Sequence, residues 1–163
     1  MSDGITDGYR YHGRVSSTMY HKQDDRPSWD SIWTDFAVSI SRRSPDPKHK
    51  VGAVIVTTDN TQVLAVGYNG DQKGGPNKRE SLDSGCSGFI HAELNALIKC
   101  DFNFPKDKKL YVTLSPCIMC AKAIINANIK QVIYINKYDS DDDNGISLLR
   151  KYGIYIRKFI KQV

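Results

Sequence analysis

Apolar residues at Trp29, Ile32, Trp33, Phe36, Ala37 and Ile40 recur at intervals of three and four, the period of one helix face. Pro27 and Ser28 stand where a helix start is marked, so the spacing predicts an amphipathic helix within "RPSWDSIWTDFAVSISRRS". "SPDPKHK" ends it, because each proline disfavours the helical region for the residue before it. "VGAVIVTT" and "QVLAVGYNG" are short β-branched runs flanking "DN", the pattern of a hairpin of two well-buried strands. Helix and strand then alternate: "IHAELNALIKC", "KKLYVTLS", "CIMCAKAIINAN", "IKQVIYIN", "DDNGISLLRKYG" and "IYIRKFI". Such alternation predicts an α/β layered protein whose sheet is largely parallel after the opening hairpin.

Two stretches lack this periodicity. Residues 1–26 hold few aliphatics, and their four Lys/Arg and four Asp cancel, so they are expected to form a flexible N-terminal extension to one domain over 27–163. "DQKGGPNKRESLDSGCSGF" follows Gly70 as a long loop, of the kind that is often functional in compact domains.

Length and composition narrow the class. A chain of 163 residues with 40% hydrophobic content suits one domain with a real core. It has neither an apolar run of membrane-spanning length nor the apolar stretch of a secretory signal, so no membrane association and a cytoplasmic location are expected. A net charge of +5 suits an anionic partner such as a nucleotide or nucleic acid, and equally a solvated basic surface.

The cysteines carry the chemistry. There are four, too few for a disulfide framework in a chain of this size, and two form Cys117-x-x-Cys120 directly behind Pro116. His91 and Glu93 open one expected helix while Cys117 and Cys120 open another. Facing helix N-termini would bring the four together and favour negative charge on the thiols. Three ligands, His91, Cys117 and Cys120, leave the fourth position of a Zn2+ ion open, as in catalytic rather than structural sites. Glu93 then supplies the base for a water that zinc acidifies. A structural zinc completed by Cys86, or a redox dithiol, are the competing readings; neither uses Glu93. Cys100 lies nine residues beyond His91, on the opposite face of a continuous helix, and reads as a core thiol.

H-x-E…P-C-x-x-C is the signature of zinc nucleobase deaminases. Together with "SPDPKHKVGAVIV", "GYNG", "LYVTLSPCIMCAKAII" and "KYDSDDDNGISLLRKYGI" it makes the chain resemble the deoxycytidylate deaminases of the cytidine deaminase superfamily, from about Trp29 to Ile156. That resemblance implies a three-layer α/β/α fold with a central mixed five-stranded sheet, one catalytic zinc on His91, Cys117 and Cys120, and Glu93 as proton shuttle. It implies deamination of a free cytosine nucleotide, dCMP to dUMP, and a homo-oligomer, hexamer or dimer. Asn69 would hydrogen-bond the sugar, the backbone of Ala92 and Ser115 would meet the pyrimidine O2 and the departing amino group, and Tyr138 would close over the pocket. As a residue alone, Asn69 reads first as a turn residue closing the strand before Gly70, and Tyr138 equally suits a strand end packed on the sheet. Desolvation of a 5′-phosphate must be offset by positive groups near the pocket, so Lys48 and Lys50, with Ser44, are expected to contact substrate from the segment before the hairpin, and Arg43, Lys73 and Lys78 flank the site; for any single one of these cations, solvated surface charge is the favoured competing reading. The loop after "GYNG" contains no histidine and one cysteine, so a second zinc is not expected. A base in single-stranded DNA or tRNA is the alternative substrate, kept open by "YRYHGR", and a non-catalytic zinc module is the alternative outside enzymes.

Overall fold

The computed structural model describes residues 25–83, 85–138 and 144–161. The expected extension and "YRYHGR" therefore lie outside the described residues, apart from positions 25 and 26. Ser28 caps helix α1 (Trp29–Ser41), its side chain accepting a hydrogen bond from the Ser31 N–H. Trp33, Phe36, Ala37 and Ile40 of the expected stripe pack on the sheet, whereas Trp29 is 56% exposed and Ile32 lies near the surface. The first turn departs from the stripe because Trp29 stacks on Trp33 one turn along, with ring centroids 5.5 Å apart, rather than on the sheet.

Strands β1 (Gly52–Thr57) and β2 (Val63–Tyr68) form the hairpin, antiparallel as expected. Its turn is tied by Asp59 Oδ1, which accepts from the Thr57 and Thr61 hydroxyls at 2.6 Å, with Asn60 in the left-handed region. The other elements are α2 (Ala92–Leu97), β3 (Lys108–Leu114), α3 (Ile118–Asn126), β4 (Ile129–Asn136), α4 (Asn144–Lys151) and β5 (Tyr155–Lys158). They make one five-stranded sheet in the order β2-β1-β3-β4-β5. β1 is antiparallel to both β2 and β3, while β3, β4 and β5 run parallel, which is the mixed sheet expected.

Both faces of the sheet are covered, so its central strands read as unbroken apolar runs rather than alternating ones. On one face α1 packs with Val54, Val56, Tyr111 and Ile133. On the other, α2, α3 and α4 sit over Ala53, Ile55, Leu110, Val112 and Val132. Among the described residues no helix is long and apolar enough to cross a membrane.

Two glycines set how closely helices approach the site. A Cβ on Gly67 of β2 would lie 2.2 Å from the Ala92 carbonyl oxygen, so only glycine lets the start of α2 rest on the hairpin. A Cβ on Gly145 of α4 would lie 2.0 Å from the Pro116 carbonyl oxygen, so α4 presses directly on the segment leading into α3.

Candidate active site

β3 ends at Leu114, and Ser115 and Pro116 carry the chain from its C-terminal edge into α3. Cys117 is the N-cap of α3, one residue outside the first turn, and Pro116 precedes the cap rather than opening the helix. The Cys117 Sγ fills the capping role itself by accepting from the Cys120 N–H at 3.5 Å. His91 holds the same position on α2, extended at φ −66° and ψ 153°, with Glu93 as second residue of the helix. Both ligating segments therefore stand at helix starts, where unpaired N–H groups and the aligned dipoles stabilise anions. α2 ends at Leu97, earlier than expected, so Cys100 lies past the helix; it packs half-buried at the edge of the core rather than within it as a core thiol.

His91 Nδ1 lies 3.3 Å from Cys120 Sγ and 3.5 Å from Cys117 Sγ, and donor atoms of all three residues lie within 4.8 Å of one another. A tetrahedral zinc with ordinary Zn–S and Zn–N bonds separates its sulfur and nitrogen ligands by about 3.5 Å. The triad fits zinc, and His91, Cys117 and Cys120 are in position to hold it. Among the described residues no other group of His, Cys, Asp and Glu forms such a set. Cys86 is exposed in the long loop and stands outside it, which removes the four-ligand structural site.

The electrostatics of the protein groups agree. The Cys117 thiol is drawn down to about 3, first by hydrogen bonding with Cys120 and then by His91 and the Cys120 N–H, against the opposing effect of burial. Cys120 is pushed upward by that same bond to Cys117 and by burial. The bond between the two sulfurs thus shifts them in opposite directions, Cys117 towards the thiolate and Cys120 towards the thiol. His91 is raised, mainly by its bond to Cys117. Glu93, 4% exposed, is lifted to about 7, with loss of hydration as the main cause. A carboxyl group poised there can both accept and return a proton near neutral pH.

Glu93 and the triad open into a cavity of about 480 Å³, the size of a small-molecule site. Asn69, Ala92, Ser115 and Tyr138 line it. As first residue of α2, Ala92 has an N–H with no intrahelical acceptor. The Ser115 N–H donates to the Asn136 carbonyl at 2.8 Å, and its hydroxyl accepts from the Tyr138 N–H at 2.9 Å.

Ser44, Lys48 and Lys50 are not brought to the cavity wall. Ser44 is buried, donating to the Asn69 carbonyl at 2.8 Å and accepting from the Asp46 N–H at 3.1 Å. The Lys48 ammonium donates to the Leu82 carbonyl at 2.9 Å, and that of Lys50 to the Ser44 carbonyl at 3.1 Å. Arg43 and Lys73 also lie off the wall, while Lys78 lines a neighbouring groove in the long loop. Of the Lys and Arg side chains, Arg79 lines the cavity, paired there with the carboxylate of Asp46, and the imidazole of His49 lies on the same wall. Sequence reasoning singled out neither Asp46 nor Arg79, and weighed His49 only as a candidate metal ligand. Asp46 shows a local signal as an acceptor for the N–H groups two and three residues on, but its partner Arg79 lies 33 residues away.

Comparison with known proteins agrees with this geometry. Residues 27–136 match the cytidine and deoxycytidylate deaminase zinc-binding region. Deoxycytidylate deaminase of Homo sapiens is 38% identical over 157 residues, covering 90% of this chain and 88% of its own, and that of Mus musculus is 39% identical over 156 residues, covering 89% and 87%. The dCMP deaminase from the cyanophage S-TIM5, in complex with dCMP and dUMP, superposes with a TM-score of 0.70 at 33% identity, covering 82% of this chain and 98% of its own. With the matched region running through hairpin, ligand triad and β4, the chain belongs to the zinc-binding cytidine and deoxycytidylate deaminase family.

Proposed function

We propose that this chain converts dCMP and water into dUMP and ammonia, through a zinc deaminase domain spanning 27–163. The observation that carries the reading is a buried glutamate, Glu93, in one cavity with an incomplete zinc shell of His91, Cys117 and Cys120. Bound zinc supplies the Lewis acidity that makes water a competent nucleophile near neutral pH. Glu93 takes one proton from the attacking water and delivers it to N3 of the ring. It then carries the second to the exocyclic nitrogen. A bond forms from the water oxygen to C4, the bond from C4 to nitrogen breaks, and the nitrogen leaves as ammonia with C4 left as a carbonyl.

The other residues orient the base. The Ala92 N–H suits the pyrimidine O2, and the Ser115 carbonyl accepts from the amino group until it departs. Tyr138 lines the cavity beside His49, their ring centroids 6.4 Å apart, and is the residue to cover the bound ring. For the 5′-phosphate, the His49 imidazole and the Nη hydrogens that Arg79 keeps beyond its pair with Asp46 take the place of Lys48 and Lys50 as hydrogen-bond donors on the cavity wall. A free nucleotide is favoured over a base in a strand because the cavity has the volume of one small ligand. A cytoplasmic homo-oligomer, dimer or hexamer, completes the proposal.

Glu93→Gln tests it. The variant is expected to lose at least a hundredfold in kcat on dCMP while keeping zinc near one per chain by metal analysis. Undiminished turnover would remove the role of Glu93. Assay of dCMP beside a short cytosine-containing strand separates the two substrate classes.

A further inference from the structure

Asn69 is bound on nearly every side by protein. Its Oδ1 accepts from the Val51 N–H at 2.8 Å, which fixes which end of the amide is oxygen. Its Nδ2 donates to the His49 carbonyl at 2.8 Å and to Asp46 Oδ2 at 3.2 Å. An amide nitrogen has two hydrogens, and both are spent; the oxygen keeps one lone pair. What Asn69 can still offer a ligand in the cavity is therefore an acceptor and not a donor.

Asp46 is the hub of this arrangement. It is 1% exposed, and its Oδ1 accepts from the N–H groups of Lys48 at 2.8 Å and His49 at 3.3 Å. Its Oδ2 accepts from Asn69 and, at 2.6 Å, from Arg79 Nη1. Arg79 in turn donates through Nε to the Ser81 carbonyl at 2.6 Å, so the same carboxylate secures the loop that forms one side of the cavity. One buried anion thus ties together three segments that meet at the site.

We infer that Asp46 is a positioning residue for the sugar of the substrate, holding Asn69 so that it presents only an acceptor and thereby selects a nucleotide whose sugar donates a hydroxyl. The inference rests on the dCMP reading. The sugar of dCMP has a single free hydroxyl, at the 3′ position, since the 2′ carbon bears none and the 5′ oxygen is esterified. That hydroxyl is the donor Asn69 can receive. Asp46→Asn keeps the shape but has one carbonyl oxygen where the carboxylate has two. Either the 46–49 turn or the side facing Asn69 and Arg79 then loses its acceptor.

The experiment compares kcat/KM for dCMP with that for 2′,3′-dideoxycytidine monophosphate in the zinc-loaded, full-length protein. The wild type should prefer dCMP by about tenfold or more, the scale of one hydrogen bond to a satisfied partner. In Asp46→Asn the preference should fall towards unity through a rise in KM for dCMP of about tenfold, with kcat within about threefold and zinc near one per chain. Asn69→Ala should lose the same preference, and adding Asp46→Asn to it should change the preference no further. Because the single change leaves Arg79 without its counter-ion, the pair is also removed together in the double variant D46N/R79Q. A preference for dCMP kept at the wild-type value in either Asp46 variant would overturn the inference. So would failure of both to fold, which would make the pair structural only. Absence of dCMP turnover in the wild type would instead refute the proposed reaction, and with it this inference.

Discussion

Gly145 couples the placement of α4 to the geometry of the zinc triad, and Gly145→Ala measures that coupling. A Cβ there would stand 2.0 Å from the Pro116 carbonyl oxygen and 2.9 Å from the Cys117 carbonyl carbon, against about 3.4 Å for ordinary contact. All the close atoms are backbone, so nothing can swing aside, and α4 and the Pro116–Cys117 segment must part by about 1.4 Å. Zinc sites tolerate about 0.2 Å of error in ligand distances, so a shift of this size in the segment carrying one of three ligands weakens the metal site. Alanine favours a helix by about 1 kcal/mol over glycine, but overpacking of a buried contact costs about 1–3 kcal/mol, so net destabilisation is expected. The assay pairs thermal unfolding with competition for zinc by a chelator. Gly145→Ala should lower zinc affinity at least tenfold as well as Tm. The control is Gly153→Ala at the other end of α4, where φ is 75° and a Cβ would meet nothing within 4 Å. That change should cost about 1 kcal/mol of left-handed strain and leave zinc affinity unchanged. Equal zinc affinity in the two variants would refute the reasoning.

Two further outcomes separate the faces of the sheet and the states of the site. In chelator-stripped protein, burial raises Glu93 in the folded state from 4.5 to about 7, so its contribution to wild-type stability is fully present below about pH 4.5 and is lost as pH rises through 7. The stability of Glu93→Gln relative to wild type should accordingly grow across that window by up to about 3 kcal/mol, read from denaturant midpoints; a difference independent of pH would contradict the assigned burial. On the opposite face, the buried Tyr111 hydroxyl donates to Asp30, which also pairs with Arg157. Tyr111→Phe should cost about 1.5–3 kcal/mol of stability, the range for hydrogen bonds to charged groups, and leave zinc content and kcat on dCMP as in wild type.

The elements were legible in the sequence because they depend on neighbours two to four residues apart. The doubly buried strands β1 and β3, the hairpin and the cap at Ser28 follow from local pattern and side-chain chemistry. The ligand set was legible for a related reason: His91 with Glu93, and Cys117 with Cys120, each lie within one helical turn, and together they suit a metal with an open position. Where α2 stops was not legible, since the apolar pattern runs on through Ile98, which the fold leaves 75% exposed. Nor were the basic side chains that line the cavity. Lys48 and Lys50 lie in the segment expected to flank the site, yet each spends its ammonium on a backbone carbonyl, while His49 between them and Arg79, far along the chain, line the wall. The sequence by itself thus determined which atoms can hold zinc and move a proton. The tertiary structure alone decided which side chains face the substrate and what Asn69 has left to offer it, because a buried carboxylate is satisfied by whatever donors folding brings to it, at any distance along the chain.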